Sequence, residues 1–163
     1  MRLLVQRVLK GGVTVDGKLV GKIGKGMHIL LGVTYGDSEV EIAEMVEKVL
    51  KLNLWENGAS TLSQKSWNTG VVQNGFDIMV VSQFTLYCHL KGNKPDFHKA
   101  LEHEKAEELY LKFVNALKAK YVPDKIQTGA FGQYMNVVLE NDGPVSLYFE
   151  TAKKALPEVK VPS

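Results

Sequence analysis

Two short polar segments contain residue types that can do chemistry. The first, Ser82-Gln83-Phe84-Thr85, directly follows the apolar run Ile78 to Val81. Polar side chains at the carboxyl end of a buried strand can line a pocket, because the strand fixes their direction. Thr85 is the nucleophile candidate by residue type, although a hydroxyl nucleophile needs a base and only His89 lies near it in sequence. The alternative is an ordinary strand end whose hydroxyls bond to the backbone.

The second segment is Asn141-Asp142-Gly143-Pro144. These residue types together usually mark a turn, here a hairpin between the last two strands. Gly-Pro also fixes local geometry, because proline has a locked φ and no N–H, and glycine has no Cβ to crowd a ligand. The segment is therefore a turn or a rigid ligand clamp, and local sequence alone favours the turn.

The surrounding pattern predicts the elements that position both segments. Asp16-Gly17 is a two-residue hairpin signal within a β-meander. Apolar residues at helical spacing predict one helix capped by Asp37 or Ser38 and a second from about Glu104 to Tyr121. Further strands are predicted at 78–81, 125–127, 135–139 and 145–149. We therefore predict an α+β fold, a single β-rich domain of meander or barrel-like sheets with two main helices.

Length and composition bound the class of protein. The 163 residues suit one domain, which we assign to residues 1–150, and the aperiodic segment 151–163 is expected to be a mobile tail. No apolar run approaches the roughly 20 residues of a membrane helix, so no membrane association is expected. The single cysteine, Cys88, fits a reducing compartment, and we expect a cytoplasmic protein. The net charge of +2 says little about partners.

Other chemistry-bearing residues give weaker signals. The spacing of Cys88, His89, His98 and His103 matches no zinc pattern, so we predict no metal site. No phosphate-binding glycine motif is present, and no cofactor is predicted. A basic stretch consists of Lys91, Lys94 and Lys99. It is either a solvated loop or a set of phosphate contacts, and the sequence leaves both readings open.

Six segments, taken in order and spacing, resemble the D-aminoacyl-tRNA deacylase family up to about Glu150. They are Val5-Gln6-Arg7-Val8, Leu30-Leu31-Gly32-Val33, Val81-Ser82-Gln83-Phe84-Thr85-Leu86, Pro95-Asp96-Phe97, Thr128-Gly129-Ala130-Phe131 and Asn141-Asp142-Gly143-Pro144-Val145. Ser146 stands where many members have threonine, and it keeps the hydroxyl.

The resemblance implies a hydrolase that cleaves the ester between a D-amino acid and the 3′ end of its tRNA, and so proofreads chirality in translation. It also implies a homodimer with its active sites at the subunit interface. There, a cis Gly143-Pro144 of one subunit would enter a pocket formed by Ser82, Gln83, Phe84 and Thr85 of the other. Arg7 would hold the Gly-Pro element, and Phe131 and Met135 would line the pocket around the terminal adenosine and substrate.

The chemistry implied by the resemblance needs little from side chains. The 2′-OH of the terminal nucleotide would help to activate water, while backbone N–H groups near Gln83, Phe84 and Thr85 hold the developing oxyanion. The carbonyl oxygens of Gly143 and Pro144 would reject L-residues but admit glycine, including glycine mischarged on tRNA(Ala). Two alternatives are a related aminoacyl-ester hydrolase with relaxed chirality and a non-catalytic nucleic-acid-binding module.

Overall fold

A computed structural model describes residues 1–57 and 67–152. Within these ranges the strands are β1 (Arg2–Val15), β2 (Lys18–Ile23), β3 (Gly26–Gly32), β4 (Asn53–Trp55), β5 (Thr69–Gly70), β6 (Asp77–Ser82), β7 (His89–Lys91), β8 (Lys94–Asp96), β9 (Ile126–Thr128) and β10 (Asn136–Glu150). The α-helices are α1 (Glu39–Lys51), α2 (Val71–Asn74) and α3 (His103–Lys120). Two 3-10 turns cover Phe84–Tyr87 and Pro123–Lys125.

The main sheet has the order β10-β1-β3-β6-β9, and β2 also pairs with β1. The pairs involving β1 are antiparallel, whereas β3–β6 and β6–β9 are parallel. Strand β2 curls towards β9 and approaches it closely. A Cβ on Gly21 would lie only 2.5 Å from the carbonyl oxygen of Thr128. Glycine at this position permits the close approach that almost closes the sheet into a barrel.

Two apolar clusters hold the fold together. The larger one lies between the sheet and helices α1 and α3 and includes Leu3, Ile29, Met45 and Phe113. The smaller one, on the other face of the sheet, contains Val8, Val13, Ile23, Met79 and Val81, with Met135 and Val137 packed against it. Alternate residues of each strand supply the two clusters, as the two-residue period of a strand requires. The sheet is therefore covered on both faces along β3 and β6.

The predicted α+β fold is confirmed, and the local start and stop signals explain its boundaries. Ser38 caps α1, and its N–H and hydroxyl both bond to the carboxylate of Glu41, which forms a capping box. Asp16 and Gly17 have φ values of 49° and 76° in the β1–β2 turn. The two predicted helices correspond to α1 and α3, while the single-turn helix α2 was not predicted.

The predicted hairpin between the last two strands is wrong. The segments expected at 135–139 and 145–149 belong to one continuous strand, β10, and both halves of it pair with β1. Val145 lies opposite Arg7 and Asn141 opposite Val8, so Asp142, Gly143 and Pro144 have no partner on β1. These three residues, which we call the Gly-Pro bulge, protrude from the sheet edge.

After β10, the structure describes the chain only as far as residue 152. Thr151 is buried, and its N–H donates to the carbonyl of Met1 at 3.0 Å. The rest of the predicted tail, 153–163, lies outside the described residues, and the division at residue 150 stays a prediction. No helix among the residues that the structure describes is both long and apolar enough to cross a membrane.

Candidate active site

A cavity of about 610 Å³ opens where β6 ends. Its walls are mostly apolar, and they come from β6, the loop before α3, the start of α3 and the segment before β10. The described residues that line it include Ser82, Gln83, Phe84, Phe97, Ala100, His103, Phe131, Gln133, Tyr134 and Met135. Five of the predicted site residues are in this list, namely Ser82, Gln83, Phe84, Phe131 and Met135. A cavity of this size and character suits an organic ligand.

The segment that follows β6 contains backbone donors without a partner among the described residues, next to the cavity wall. The N–H of Gln83 donates to the carbonyl of Leu31 at 2.8 Å, which anchors the segment to β3. Phe84 and Thr85 begin the 3-10 turn, so their N–H groups have no carbonyl within the turn to bond. They donate to no other residue of the described chain. Of the three predicted oxyanion donors, Gln83 is therefore occupied, while Phe84 and Thr85 remain available.

The hydroxyl of Thr85 faces its own segment. It accepts a short hydrogen bond from the side-chain amide of Gln83. Thr85 is not among the described residues that line the cavity, unlike its neighbours Ser82, Gln83 and Phe84. No histidine bonds to the Thr85 hydroxyl in the described part of the chain, so the arrangement lacks the base that a hydroxyl nucleophile needs.

Phe131 and Met135 are held in place by packing. The ring of Phe131 lies 5.2 Å from His103 in a T-shaped contact and 5.3 Å from Tyr110. Tyr110 donates its hydroxyl hydrogen to the carbonyl of Val80 at 2.9 Å, and burial raises its pKa above the ordinary value. The sulfur of Met135 accepts from the N–H of Ala130 at 3.3 Å. Tyr110 thus acts as a neutral support behind the cavity wall.

The Gly-Pro bulge forms a second group of predicted site residues. Gly143 and Pro144 are exposed, and the peptide bond between them is cis. Gly143 has a φ of +120°, a conformation that side chains rarely adopt. A Cβ on Gly143 would lie 2.9 Å from Cγ2 of Val145 and 3.2 Å from Nη2 of Arg7. The position therefore accommodates glycine and no larger residue without movement.

Arg7 anchors the base of the Gly-Pro bulge. Its Nε lies 3.1 Å from the carbonyl oxygen and 3.2 Å from Oδ2 of Asp142. Its Nη1 donates to the carbonyl of Leu54 at 2.5 Å, and its guanidinium lies 5.4 Å from the centre of the Trp67 ring. Contacts on three sides of one planar group hold the guanidinium in a single orientation.

Comparison with known proteins identifies the family. The family model described as D-Tyr-tRNA(Tyr) deacylase matches residues 4–150. The chain belongs to this family. A mouse relative named D-aminoacyl-tRNA deacylase 1 is 44% identical over 93% of this chain and 70% of its own length. A Clostridium botulinum relative named D-aminoacyl-tRNA deacylase is 43% identical over 94% of this chain and 99% of its own.

A solved structure is also similar to this member of the deacylase family. The structure entitled c-Myc DNA Unwinding Element Binding Protein superposes with a TM-score of 0.87 at 43% identity, and it covers 94% of this chain and 100% of its own. The chain therefore shares its fold with a solved structure over nearly its whole length.

Within one chain of this deacylase-family protein, the two groups of site residues are far apart. Val137 lines the cavity near the start of β10, while Gly143 lies six residues further along the same strand. At about 3.3 Å per residue, Val137 and Gly143 are roughly 20 Å apart along the strand. Neither Gly143 nor Pro144 is among the described residues lining the cavity. One chain therefore does not bring its own bulge to its own cavity.

Sequence reasoning missed several residues of the cavity wall. Tyr134 is 96% exposed at its rim, and Phe97 packs edge-on against Phe84 with ring centres 5.0 Å apart. Phe97 stood in a segment of the family resemblance, so that signal was available. Tyr134 and His103 carried no local pattern that points to a site. No group of three potential metal ligands exists among the residues described.

Proposed function

We propose that this protein is a D-aminoacyl-tRNA deacylase, which hydrolyses the ester of D-aminoacyl-tRNA to free D-amino acid and tRNA. Family membership over residues 4–150 carries the proposal. It is supported by an apolar cavity with two unbonded N–H groups, those of Phe84 and Thr85, beside its wall. The curated relatives bear the name of this activity. We also expect the protein to act in the cytoplasm, where charged tRNA is used.

The reaction requires positioning more than a strong nucleophile, because an aminoacyl ester is already activated. We propose that the N–H groups of Phe84 and Thr85 hold the oxyanion that develops on the ester carbonyl. Each such donor can contribute about 3 kcal/mol to a transition state. The 2′-OH of the terminal nucleotide would help to activate water. Phe131 and Met135 would contact the terminal adenosine and the substrate.

Chiral selection would come from the Gly-Pro bulge. We propose that the carbonyl oxygens of Gly143 and Pro144 hold the α-ammonium of a D-residue, whose side chain then points outward. An L-residue would direct its Cβ into these oxygens, and an obstacle that cannot relax gives strong rejection. The contacts of Arg7 support such rigidity. Glycine has no side chain to exclude, so glycyl-tRNA(Ala) should also be hydrolysed.

The bulge must reach a cavity other than its own. The separation of roughly 20 Å along β10 supports a homodimer, in which Gly143 and Pro144 of each subunit enter the cavity of the other. The exposure of both residues fits this arrangement. We therefore propose two equivalent active sites at the subunit interface, each built from both chains.

Hydrolysis of D-tyrosyl-tRNA and L-tyrosyl-tRNA, measured side by side, tests the proposal. We expect release of D-tyrosine only, together with hydrolysis of glycyl-tRNA(Ala). Cleavage of both tyrosyl esters would favour the alternative of an aminoacyl-ester hydrolase with relaxed chirality. If a folded protein cleaved none of them, the deacylase assignment would fail.

A second candidate function is binding of nucleic acid without catalysis. The similar solved structure bears a title that names binding to a DNA unwinding element, and this observation favours testing the candidate. Titration of a labelled DNA duplex against wild-type protein and a Gly143 variant would separate the two functions. Duplex binding that survives loss of the Gly-Pro bulge, in a protein without deacylase activity, would support the binding module.

A further inference from the structure

A basic surface borders the cavity on the side of the β7–β8 hairpin. It consists of the side chains of His89, Lys91, Lys94, His98 and Lys99, which we call the basic rim. In the hairpin, His89 pairs with Asp96 and Lys91 with Lys94. These four side chains share one face of the two-stranded ribbon, because residues directly opposite and residues two apart point the same way.

Asp96 neutralises part of this surface and leaves the rest uncompensated. Its carboxylate binds Nζ of Lys91 at 2.6 Å and makes a short contact with Nδ1 of His98. Both contacts hold the pKa of Asp96 well below its ordinary value, His98 having the larger effect. Lys94 and Lys99 form no ion pair with any residue in the described ranges. Two cations of the basic rim therefore lack a protein counterion there.

The backbone of Lys99 is fixed at the mouth of the cavity. Its carbonyl accepts a hydrogen bond from the hydroxyl of Thr34 at 2.5 Å. Two residues later, the N–H of Leu101 donates to the carbonyl of Val33 at 3.0 Å. Phe97 and Ala100, on either side of Lys99 in the chain, line the cavity. An exposed cation thus stands on a pinned loop beside the aromatic wall.

The electrostatic environment of this surface favours an anion. The pKa of His89 is lowered first by desolvation and then by the positive charges of Lys99, His98 and Arg2. Asp96 opposes these charges, but the pKa is lowered overall. Arg2 and His98 have carboxylate partners, so it is the charges of Lys94 and Lys99 that remain to attract phosphate.

We propose that Lys94 and Lys99 bind backbone phosphates of the single-stranded 3′ end of the tRNA, just upstream of the nucleoside that occupies the cavity. The inference rests on the proposed function, since a chain that ends in the cavity must leave it across a rim. Lysine ammonium groups recognise phosphate without reading base identity, which suits an end shared by all tRNAs. Binding of the tRNA end by these two lysines would therefore not depend on its base sequence.

Two substrates that differ only in upstream phosphates test this inference. D-Tyrosyl-tRNA carries them, and 3′-O-D-tyrosyl-adenosine does not. We expect Lys94→Gln and Lys99→Gln each to lower kcat/KM on the tRNA about fivefold at 0.1 M salt, from a slope of about 0.7 per released counterion. Hydrolysis of the adenosine ester should not change. The salt dependence of the tRNA reaction should become shallower by the same slope.

Lys120→Gln is the matched control, because it removes one exposed lysine at the opposite end of α3, about 26 Å from His103. It should leave both substrates unaffected. Equal losses on both substrates, or no loss on tRNA, would overturn the inference. If wild-type protein cleaves neither substrate, the proposed function fails. Binding of uncharged tRNA then decides the inference separately: equal affinity of wild type and the Lys94→Gln/Lys99→Gln variant would also overturn it.

Discussion

Arg7 connects three parts of the chain that are distant in sequence. It contacts the backbone and carboxylate of Asp142, the carbonyl of Leu54 and the ring of Trp67. Lysine keeps the charge but not the planar array of donors, so it cannot make these contacts together. The guanidinium therefore sets the position of the Gly-Pro bulge more through geometry than through charge.

Replacing Arg7 by lysine should impair catalysis more than folding. A displacement of the bulge by about 1 Å can cost up to about 100-fold in rate, so we expect kcat/KM for D-tyrosyl-tRNA to fall by 10- to 100-fold. The free energy of unfolding should change little, because lysine keeps the charge of this half-buried side chain. The measurement is hydrolysis together with thermal unfolding, and an Arg7→Lys enzyme with full activity would contradict the assigned role.

Thr85→Ala separates a positioning mechanism from covalent catalysis. The Thr85 hydroxyl bonds to Gln83 and has no base beside it among the described residues. We therefore expect a loss of less than about tenfold, whereas removal of a true nucleophile costs about a millionfold. Thr85→Ser, which keeps the hydroxyl, should match wild type. A near-complete loss in Thr85→Ala with retention in Thr85→Ser would establish the threonine as a nucleophile.

His28 should make stability depend on pH. Neither ring nitrogen has a partner among the described residues, and the side chain is 1% exposed between Gln6 and Met79 on neighbouring strands. Burial lowers its pKa from 6.5 to about 4. The unfolded chain therefore binds the proton first as pH falls. The contribution of neutral His28 to the free energy of unfolding is complete above pH 6.5. It amounts to about 3 kcal/mol and is lost as the pH falls towards 4.

Urea unfolding of wild type and His28→Leu at several pH values measures this effect. The variant should lose less free energy of unfolding between pH 6.5 and 4, because it has no imidazole to protonate. Carboxylates titrate in both proteins and cancel in the difference. Parallel pH profiles for the two proteins would show that His28 is not the source.

At the scale of elements, the Gly-Pro bulge illustrates what local sequence can and cannot predict. Asn141 to Pro144 has the composition of a turn, and Asp16-Gly17 with similar chemistry does form one. The difference is tertiary: β1 continues past the bulge, so both halves of β10 find partners on the same strand. Pairing over the length of β10 thus overrides the local turn preference.

Other elements followed from local signals because their determinants are local. The capping box of Ser38 and Glu41 fixes the start of α1, and the apolar run of β6 fixes the central strand. The cavity is different, because Tyr134 and His103 meet Phe84 only through the packing of separate elements. No spacing within the chain encodes that meeting. The place of Ser82 and Gln83 at the end of a buried strand and the family resemblance pointed to part of the cavity.

Gly143→Ala should damage function through the shape of the bulge. Alanine would have to keep the unfavourable φ of +120°, and its Cβ would press on Val145 and Arg7. The cost is about 1–3 kcal/mol. We expect kcat/KM to fall at least about 100-fold, because the carbonyl of Gly143 must shift. Gly17→Ala is the matched control, since its φ is +76° and it has open space around it. Equal activity losses in the two variants would refute a specific role of the bulge.

At the scale of the whole molecule, β10 is the surface that we expect a second copy to cover. It is the edge of the main sheet, and Val138 and Tyr148 are 64% and 51% exposed on it. An exposed strand edge that carries apolar side chains is a surface on which another chain can pair. The bulge lies on the same strand, so contact there would place Gly143 and Pro144 beside another chain.

Mixing two inactive variants tests whether the site is shared between subunits. We pair Gly143→Ala, which alters the bulge, with a variant carrying both Phe84→Ala and Phe131→Ala, which alters the cavity. In a mixed dimer, one site combines an unaltered bulge with an unaltered cavity, and the other site has neither. Random assortment makes half of the dimers mixed, so co-refolding should restore about a quarter of wild-type activity. Mixing two cavity variants should restore none. If the first mixture is no more active than its components, the bulge serves its own chain, and the cross-subunit site is wrong.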